Sequence, residues 1–557
     1  MAVFQDNDMA ESQGRPAPAY TETPVDTTFE QLDLNNAEYE KVPLRMGEDI
    51  PPDDEASSCD GENLQVQAIP PRPLPPWIKY PKAFLLALVP SFLHPSDPNK
   101  PPKPLHPTSW LDGLRGVAAF LVVCHHWSLL TFTNRIHAGY GADAQPLFIQ
   151  LPIIRLVVSG FWAVCVFFVI SGFALSYKPL KLLKQKRVVD FAIAAASSAF
   201  RRYIRIFGPP MVTTFIIALM TYCGWFEKQS QPLFVGFPRL RPPVGQTLSD
   251  QLWHWFLTTL AFADPLSRDI HRGNTYPYDA VLWTIPIEFD SSLVVFLAHV
   301  AFSRLRPCIR LFFDAFACAY TLYFARWEFF LFLSGMFCAD IHFYFQSEVE
   351  ELQDAEGNWD TLPLWSKPWR RDSFARIQTR IQSVFSSSPA FSIFKKALTI
   401  FSFFVALWLL SYPHLTQDAA ITPGFSFLHS ITPPQHTDGS ALWIPVGAVL
   451  LVFTVDRAPL LQRLFTNRFA QYLGRISYAL YLVHNSLLWV YGWHLVWFFT
   501  TLTGIMTDGQ YGFGIFLATS LFFPGVILVA DFAQRYLDAK IVAFAAWFER
   551  KLIAKTK

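Results

Sequence analysis

Apolar runs long enough to cross a lipid bilayer recur along this chain of 557 residues. A helix that spans the hydrocarbon core needs about 20 predominantly apolar residues. Hydrophobic residues make up 52% of the chain and charged residues only 16%, whereas soluble domains carry about 25% charged residues. About ten runs are long enough to span, near 111–131, 155–177, 207–225, 281–303, 308–325, 327–346, 396–412, 440–455, 473–499 and 511–533. The sequence therefore predicts an all-α polytopic membrane protein with about ten transmembrane helices.

The N-terminal region differs in composition from the rest of the chain. Residues 1–76 are polar and proline-rich, with acidic patches and no signal-peptide pattern, and are predicted to form a disordered cytosolic arm. Residues 77–107 contain an apolar stretch that is too short to span and is broken by Pro90, which favours an interfacial segment and a linker. The membrane domain is then expected over 108–535, followed by a basic tail at 536–557.

Basic residues are distributed unevenly between the predicted loops. The loop at 178–206 holds eight Lys and Arg residues, whereas the loops at 413–439 and 500–510 contain none. Because Lys and Arg concentrate on the cytosolic side of membrane proteins, this asymmetry places both chain termini in the cytosol. We expect an integral, multi-pass protein of an endomembrane or the plasma membrane.

Charge and cysteine usage exclude several other classes. The formal net charge is +1, which gives no indication of a nucleic-acid partner and leaves membrane lipids as the expected surroundings. Seven cysteines are scattered along the chain, and none forms a CxxC pair or a Cys/His spacing typical of a metal site. The sequence predicts no metal, and buried free thiols in the apolar segments.

The first predicted span, LDGLRGVAAFLVVCHHWSLL, carries residues that are costly at membrane depth. Arg115 and His126 are eleven residues apart, which is three helical turns, so they share one helix face about 16 Å apart along the axis. His125 points about 100° away from that face, toward a neighbouring helix or the lipid. An imidazole in this position can act as a general base toward a hydroxyl group.

The motifs of this chain resemble those of the acyltransferase-3 family of integral membrane acyltransferases, in its fungal-like branch. A basic residue followed by ten residues and then His is the signature of that family, and Arg115 and His126 match it. Four further matches follow in the order of the family: FFVISGFALS (167–176), RRYIRI (201–206), LWTIPIEF (282–289) and GRISYALYLVHNSL (474–487). The resemblance covers residues 108–535.

The resemblance implies an acyl-CoA-dependent O-acyltransferase. Such an enzyme moves an acyl group from acyl-CoA, most commonly acetyl-CoA, to a hydroxyl-bearing acceptor such as a carbohydrate, a lipid or a secondary metabolite. His126 is expected to be the general base. Arg202 and Arg205 are expected to bind the CoA phosphates by charge-assisted hydrogen bonds, together with Arg115 at the same membrane face.

Other polar residues of the matched motifs are candidates for the same site. Glu288, inside the fourth span, is expected to orient the imidazole of His126 or to polarise the acceptor. Trp283 is expected to shape the pocket at the membrane interface. In span nine, polar residues at three-residue steps share one helix face. Two of them, Tyr481 and His484, are predicted to line the pocket. The members of that face are Tyr478, Tyr481 and His484.

Several of these residues also have a purely structural interpretation. Arg115 pairs with Asp112 in that case, His126 braces neighbouring helices, and His125 serves packing. The arginines at 201–205 are then only the positive-inside anchor of span three. Two other functions remain open. One is a transporter with His126, Glu288 and His484 as its path, although no internal repeat is visible. The other is an inactive scaffold that binds partners through its N-terminal arm.

Overall fold

The structure is a computed structural model. It describes residues 89–91, 105–132, 134–142, 146–226, 242–267, 269, 276–358, 389–414, 418–436 and 439–553. The predicted arm at 1–76 lies outside the described residues, as does most of the interfacial segment at 77–107.

The described residues form helices and no strand. The α-helices are α1 Ser109–Thr131, α2 Phe161–Lys184, α3 Val188–Tyr222, α4 Leu248–Phe262, α5 Thr284–Phe302, α6 Pro307–Tyr323, α7 Trp327–Asn358, α8 Pro389–Leu410, α9 Ser426–Ser430, α10 Ser440–Asp456, α11 Pro459–Thr466, α12 Arg468–Leu487, α13 Trp493–Thr503, α14 Asp508–Ala533 and α15 Ala539–Leu552. Single turns of π-helix join α12 to α13 at Leu488–Gly492 and α14 to α15 at Gln534–Asp538.

The helices confirm an all-α polytopic membrane fold. In the described part of the chain, seven helices are long and apolar enough to cross a membrane, or eight if the pair α10 and α11, bent by 101°, is one span. If that bent pair is counted as one span, two of the ten predicted spans do not reach this standard. Helix α6 has only 17 residues, and α12 carries the polar residues of the ninth predicted span.

Helices α1 and α12 cross where two glycines meet. A Cβ atom on Gly116 would lie 2.2 Å from the backbone nitrogen of Gly474, and one on Gly474 would lie 2.4 Å from the carbonyl oxygen of Asp112. Small residues of this kind allow close packing of helices within a membrane. The close contact fixes the depth of each helix relative to the other.

A second glycine crossing joins α2 to α7. A Cβ atom on Gly172 would lie 2.1 Å from the carbonyl oxygen of Phe332, and one on Gly335 would lie 2.2 Å from that of Val169. Because α2 also packs against α1, the two crossings fix α1, α2, α7 and α12 as neighbours in the membrane.

Helix α3 begins much earlier than the sequence predicts. The expected basic loop at 178–206 is helical from Val188 onward, so the arginines at 201–205 lie on the helix itself. The hydroxyl groups of Thr213 and Thr214 donate to the carbonyl of Pro210, at 3.1 and 2.8 Å. Pro210 has no N–H, so it frees the carbonyl of Ile206 four residues earlier, and the hydroxyl of Tyr478 donates to that carbonyl at 2.7 Å.

Helix α4 lies between the third and fourth predicted spans and packs back against α3. The indole of Trp255 donates to Thr214 over 3.2 Å, and the hydroxyl of Tyr203 donates to the carbonyl of Ala263 over 3.0 Å. Helix α4 has 15 residues, which is too short for a spanning segment. This length explains why the apolar pattern did not indicate it.

The C-terminal tail is helical and is anchored on α3. Arg201 forms an ion pair with Glu549 at 3.1 Å, and Phe200 stacks on Phe548. Nearer the membrane domain, Ser91 donates through its hydroxyl and its backbone nitrogen to the carboxylate of Asp531, at 2.6 and 3.0 Å. The described piece of the N-terminal segment is therefore bonded to the end of α14.

Candidate active site

The imidazoles of His126 and His484 face each other between α1 and α12. Their ring centroids are 5.1 Å apart and their planes are inclined by 37°. Each histidine lies ten residues beyond the glycine at which its helix crosses the other one, Gly116 and Gly474. Because the two contacts advance in the same direction along both helices, α1 and α12 run parallel.

The protonation of His484 follows from its hydrogen bonds. Its Nδ1 lies 2.7 Å from the carbonyl oxygen of Tyr481 and 3.2 Å from that of Leu480. Carbonyl oxygens only accept hydrogen bonds, so Nδ1 carries a proton, and a second proton on a buried Nε2 without an acceptor would be costly, so Nε2 keeps its lone pair. Nε2 is buried and makes no hydrogen bond to any described residue. His484 thus presents a neutral imidazole beside His126.

Two further histidines extend this pair into a row. His125 donates from Nδ1 to the carbonyl of Val158 at 2.6 Å, and its ring lies 5.1 Å from that of His126. His137 donates to the same carbonyl at 2.9 Å, with its ring 5.4 Å from His125. A Cβ atom on Gly160 would lie 2.4 Å from the His125 ring. His125 is therefore fixed by packing and by a backbone hydrogen bond.

Helix α12 is tied to the start of α5 by two polar side chains. The Tyr481 hydroxyl donates to the carbonyl of Val281 and lies 2.6 Å from the hydroxyl oxygen of Thr284. The amide of Asn485 donates to Asp279 at 2.6 Å. Burial raises the pKa of the Asp279 carboxyl group to about 7. Sequence reasoning missed Asp279 and Asn485, although Asn485 follows Tyr481 by one helical turn.

Arg202 and Glu288 form an ion pair, although Arg202 was expected to bind CoA and Glu288 to act beside His126. Arg202 donates to Glu288 at 2.9 Å, and Ser171 donates to the same carboxylate oxygen at 3.4 Å. The side chains of the pair are 14% and 23% exposed. Tyr478 lies close by and donates to the carbonyl of Ile206 at 2.7 Å. Arg202 is thus paired inside the bundle, not free in a cytosolic loop.

Arg115 bridges α1 and α12 near their crossing. Its Nε donates to the hydroxyl of Ser477 at 3.0 Å and its Nη2 to the carbonyl of Gly474 at 3.1 Å. The expected ion pair with Asp112 is also present, at 3.1 Å, and 41% of the Arg115 side chain stays exposed. These contacts support the structural interpretation of Arg115, although part of its side chain stays exposed.

A carboxylate from the C-terminal part of the chain lies beside the remaining predicted cation. Asp538, in the π-turn after α14, interacts electrostatically with Arg205 and with Arg115. Arg205 is exposed on α3. These three residues form a charged cluster near the α1–α12 crossing, where Arg115 bonds to Gly474.

The other predicted pocket residue, Trp283, is half-buried just before α5. Its ring lies 6.3 Å from that of Trp327 at the start of α7. Among the described residues, no group of three or more His, Cys, Asp or Glu side chains is arranged to hold a metal ion.

Comparison with known proteins decides the family. The acyltransferase-3 family model, described as an acyltransferase domain, matches residues 108–533. The chain belongs to the acyltransferase-3 family. It is 38% identical to the O-acetyltransferase PaAT-1 of Phomopsis amygdali over 475 residues, which cover 84% of this chain and 88% of that protein. No solved structure matches it.

Two more distant relatives are also acyltransferases by name. Acyltransferase R4 of Phoma sp. (strain ATCC 20986 / MF5453) is 24% identical over 78% of this chain and 94% of its own length. Acyltransferase clz18 of Cochliobolus lunatus is 24% identical over 81% of this chain and 96% of its own length. Together with the apolar helices, these matches identify a multi-pass membrane O-acyltransferase. They favour the enzyme over the transporter considered from sequence.

Proposed function

We propose that this acyltransferase moves an acyl group, acetyl in the simplest case, from acyl-CoA to a hydroxyl group of its acceptor, with His126 as general base. The observation that carries the proposal is the placement of His126 against the neutral imidazole of His484, at a depth fixed by the glycine crossing of α1 and α12. An imidazole is the side chain most often used for proton transfer near neutral pH.

The proposed reaction is a single displacement. His126 removes the proton of the acceptor hydroxyl as its oxygen attacks the thioester carbonyl. The new C–O bond forms, the C–S bond breaks, and the CoA thiolate leaves. The imidazolium then returns the proton to the thiolate, so neither a proton nor an electron is gained or lost overall. His484 supports His126 through its neighbouring ring and supplies a second lone pair at Nε2.

The charged cluster of Arg115, Arg205 and Asp538 is the proposed entrance for CoA. Guanidinium groups bind phosphate by charge-assisted hydrogen bonds, and the distribution of Lys and Arg favours the cytosolic side for this cluster. Asp538 attracts both arginines, and Arg115 is in addition held by Ser477 and Gly474.

Arg202 is proposed to contact CoA deeper in the membrane domain than the entrance cluster does. Its Nε is buried and makes no hydrogen bond to any described residue, so it remains available for the pantetheine arm or the thioester. Glu288 then acts mainly by positioning Arg202. Trp283 and Tyr481 are proposed to border the acceptor pocket, which would take a carbohydrate, a lipid or a secondary metabolite.

A donor titration tests the CoA site. The purified protein in lipid nanodiscs is incubated with radiolabelled acetyl-CoA and mixed hydroxyl acceptors, and CoA release and labelled product are both measured. Arg205→Gln is expected to raise the KM for acetyl-CoA with little change in kcat. Arg306→Gln, which removes another exposed arginine, is the matched control. Equal KM values for the two variants would contradict the placement of CoA.

A further inference from the structure

A buried arginine lies on the opposite side of the histidine row from the proposed CoA entrance. Arg155 belongs to a short 3₁₀-helix, Ile154–Val157, between α1 and α2, and it is only 3% exposed. Its Nη2 donates to the backbone carbonyl of His137 at 2.9 Å. Its Nε and Nη1 make no hydrogen bond to any residue that the structure describes. Two nitrogens of a buried cation, which carry three N–H groups, therefore have no acceptor in the described part of the chain.

No carboxylate of the described residues bonds to the unused N–H groups of Arg155. Burial lowers the pKa of its guanidinium to about 10, so the group is still a cation at neutral pH. Asp418 attracts it electrostatically but does not bond to its free N–H groups. The Asp418 carboxylate instead accepts from the backbone nitrogen of Gly139 at 3.5 Å. A buried charge without a bonded partner is costly, which is why most such groups are paired or bind a ligand.

Contacts connect Arg155 to the reacting imidazole. The residue whose carbonyl it binds, His137, shares the Val158 carbonyl with His125, and the ring of His125 lies against that of His126. His137 also has a buried Nε2 without a hydrogen bond to the described residues, and burial lowers the pKa of its imidazole to about 4. The cationic guanidinium of Arg155 and the neutral imidazole of His137 thus lie together at one end of the row of histidines.

Arg155 is in the wrong place to bind CoA. Arg115 lies eleven residues before His126 on α1, about 16 Å away along the helix, whereas Arg155 lies in the segment that follows the far end of α1. The phosphates of a donor that enters at Arg115 and Arg205 remain on that side. A ligand at Arg155 therefore has to be the other substrate.

We propose that Arg155 forms a carboxylate-recognition subsite for the acceptor, so that the preferred acceptors are hydroxylated carboxylic acids. The inference rests on the proposed function, since it assumes that His126 acts on the acceptor hydroxyl. The carboxylate accepts hydrogen bonds from the unused N–H groups of Arg155, while the hydroxyl of the same molecule reaches His126. The uncharged ester of such an acid lacks the charge that Arg155 recognises.

Thermal unfolding separates this role from a structural one. The full-length protein in nanodiscs is compared with Arg155→Gln and Asp418→Asn in the absence of acceptor. A subsite arginine is expected to leave Tm unchanged or raised in Arg155→Gln, because an unbalanced buried charge is removed. A structural Arg155–Asp418 pair would instead lower Tm in both single variants, with recovery in the double variant, and that result would overturn the proposal.

Acceptor preference provides the second readout. Transfer from radiolabelled acetyl-CoA is measured for 12-hydroxystearic acid and cholic acid, each beside its methyl ester. Wild type is expected to prefer the acids by about 10- to 100-fold, as for a hydrogen bond to a charged group, and Arg155→Gln is expected to lose this preference. Asp418→Asn, which removes a competing negative charge, is expected to lower the KM for the acids.

Each remaining outcome has a defined meaning. Equal use of acids and esters by wild type, or use of neither, overturns the subsite. Binding of radiolabelled acetyl-CoA to wild type, and its weakening in Arg205→Gln, is measured separately without acceptor. If wild type does not bind acetyl-CoA, the proposed function itself fails. If wild type binds acetyl-CoA but does not prefer acids to esters, only the subsite fails.

Discussion

His126 and His484 are separated by most of the membrane domain in sequence, yet their rings lie 5.1 Å apart because each is ten residues beyond the same helix crossing. The crossing is made by Gly116 and Gly474, whose backbones are too close to admit a Cβ atom. The depth of the two imidazoles is therefore set by backbone contact between two parallel helices. The position of the proposed base depends on packing about 15 Å away from it.

Substituting the glycine at this crossing is expected to disrupt the site without touching a histidine. In Gly116→Ala the new methyl group would lie 2.2 Å from the backbone nitrogen of Gly474, so the helices must separate and overpacking costs about 1–3 kcal/mol. We expect a lower Tm and a large loss of kcat. Gly512→Ala is the control, since a Cβ atom there meets nothing within 4 Å. Equal Tm values in the two variants would argue against the tight crossing.

Because Arg202 and Glu288 form an ion pair, the Tm losses of their single variants are not expected to add up in the double variant. Removing one partner of a largely buried pair leaves an uncompensated charge and costs about 3–5 kcal/mol, so Arg202→Gln and Glu288→Gln are each expected to lower Tm. The double variant is expected to recover most of that loss, while its activity remains low because Arg202 is missing. The measurement is a double-mutant cycle of thermal unfolding beside acetyl transfer. Additive losses of Tm would show that the two side chains do not interact.

The Asp279 carboxyl group predicts a pH dependence of stability. Its pKa is raised from 3.8 to about 7 by burial, so the folded protein holds a proton there that the unfolded chain has released. Its contribution is therefore fully favourable below about pH 4 and is lost as pH rises toward 7. Asp279→Asn preserves an oxygen that accepts from Asn485 and Val281, and it should flatten the decline of Tm between pH 5 and 8.

The control for this pH dependence is Asp508→Asn, an exposed position at the start of α14. It removes a carboxylate without altering the buried contacts of Asp279, so its Tm profile should follow that of wild type. Parallel profiles for wild type and Asp279→Asn would mean that the Asp279 carboxyl group is ionised in the folded protein at pH 5 as well.

Sequence alone predicted the parts of this site that lie on one helix. The eleven-residue spacing of Arg115 and His126 requires only helical geometry, and the all-α membrane fold follows from the apolar runs. His484 was predicted as a pocket residue from its family motif. Its pairing with His126 is a tertiary contact, and nothing in either motif specifies the glycine register that brings the rings together.

The contacts that were missed cross between helices or lie in irregular segments. Arg202 was expected in a cytosolic loop, because the basic stretch hides the start of α3 at Val188. Its bond to Glu288 depends on how α3 packs against α5. Arg155 was not predicted at all, since a single arginine in a short 3₁₀-helix has no periodic signal. Only the structure shows that two nitrogens of its guanidinium are buried without a bonded carboxylate among the residues it describes.

The most direct test of the account is the rate of acetyl transfer by His126→Ala in nanodiscs. It is measured beside His125→Ala and beside His494→Ala, which removes an exposed histidine of α13. If His126 is the base, its loss should lower kcat by about 10²- to 10⁴-fold with Tm and acetyl-CoA binding preserved. His494→Ala should match wild type, and His125→Ala should retain much of the activity. A His126→Ala protein that is folded and transfers acetyl groups at the wild-type rate would contradict the account.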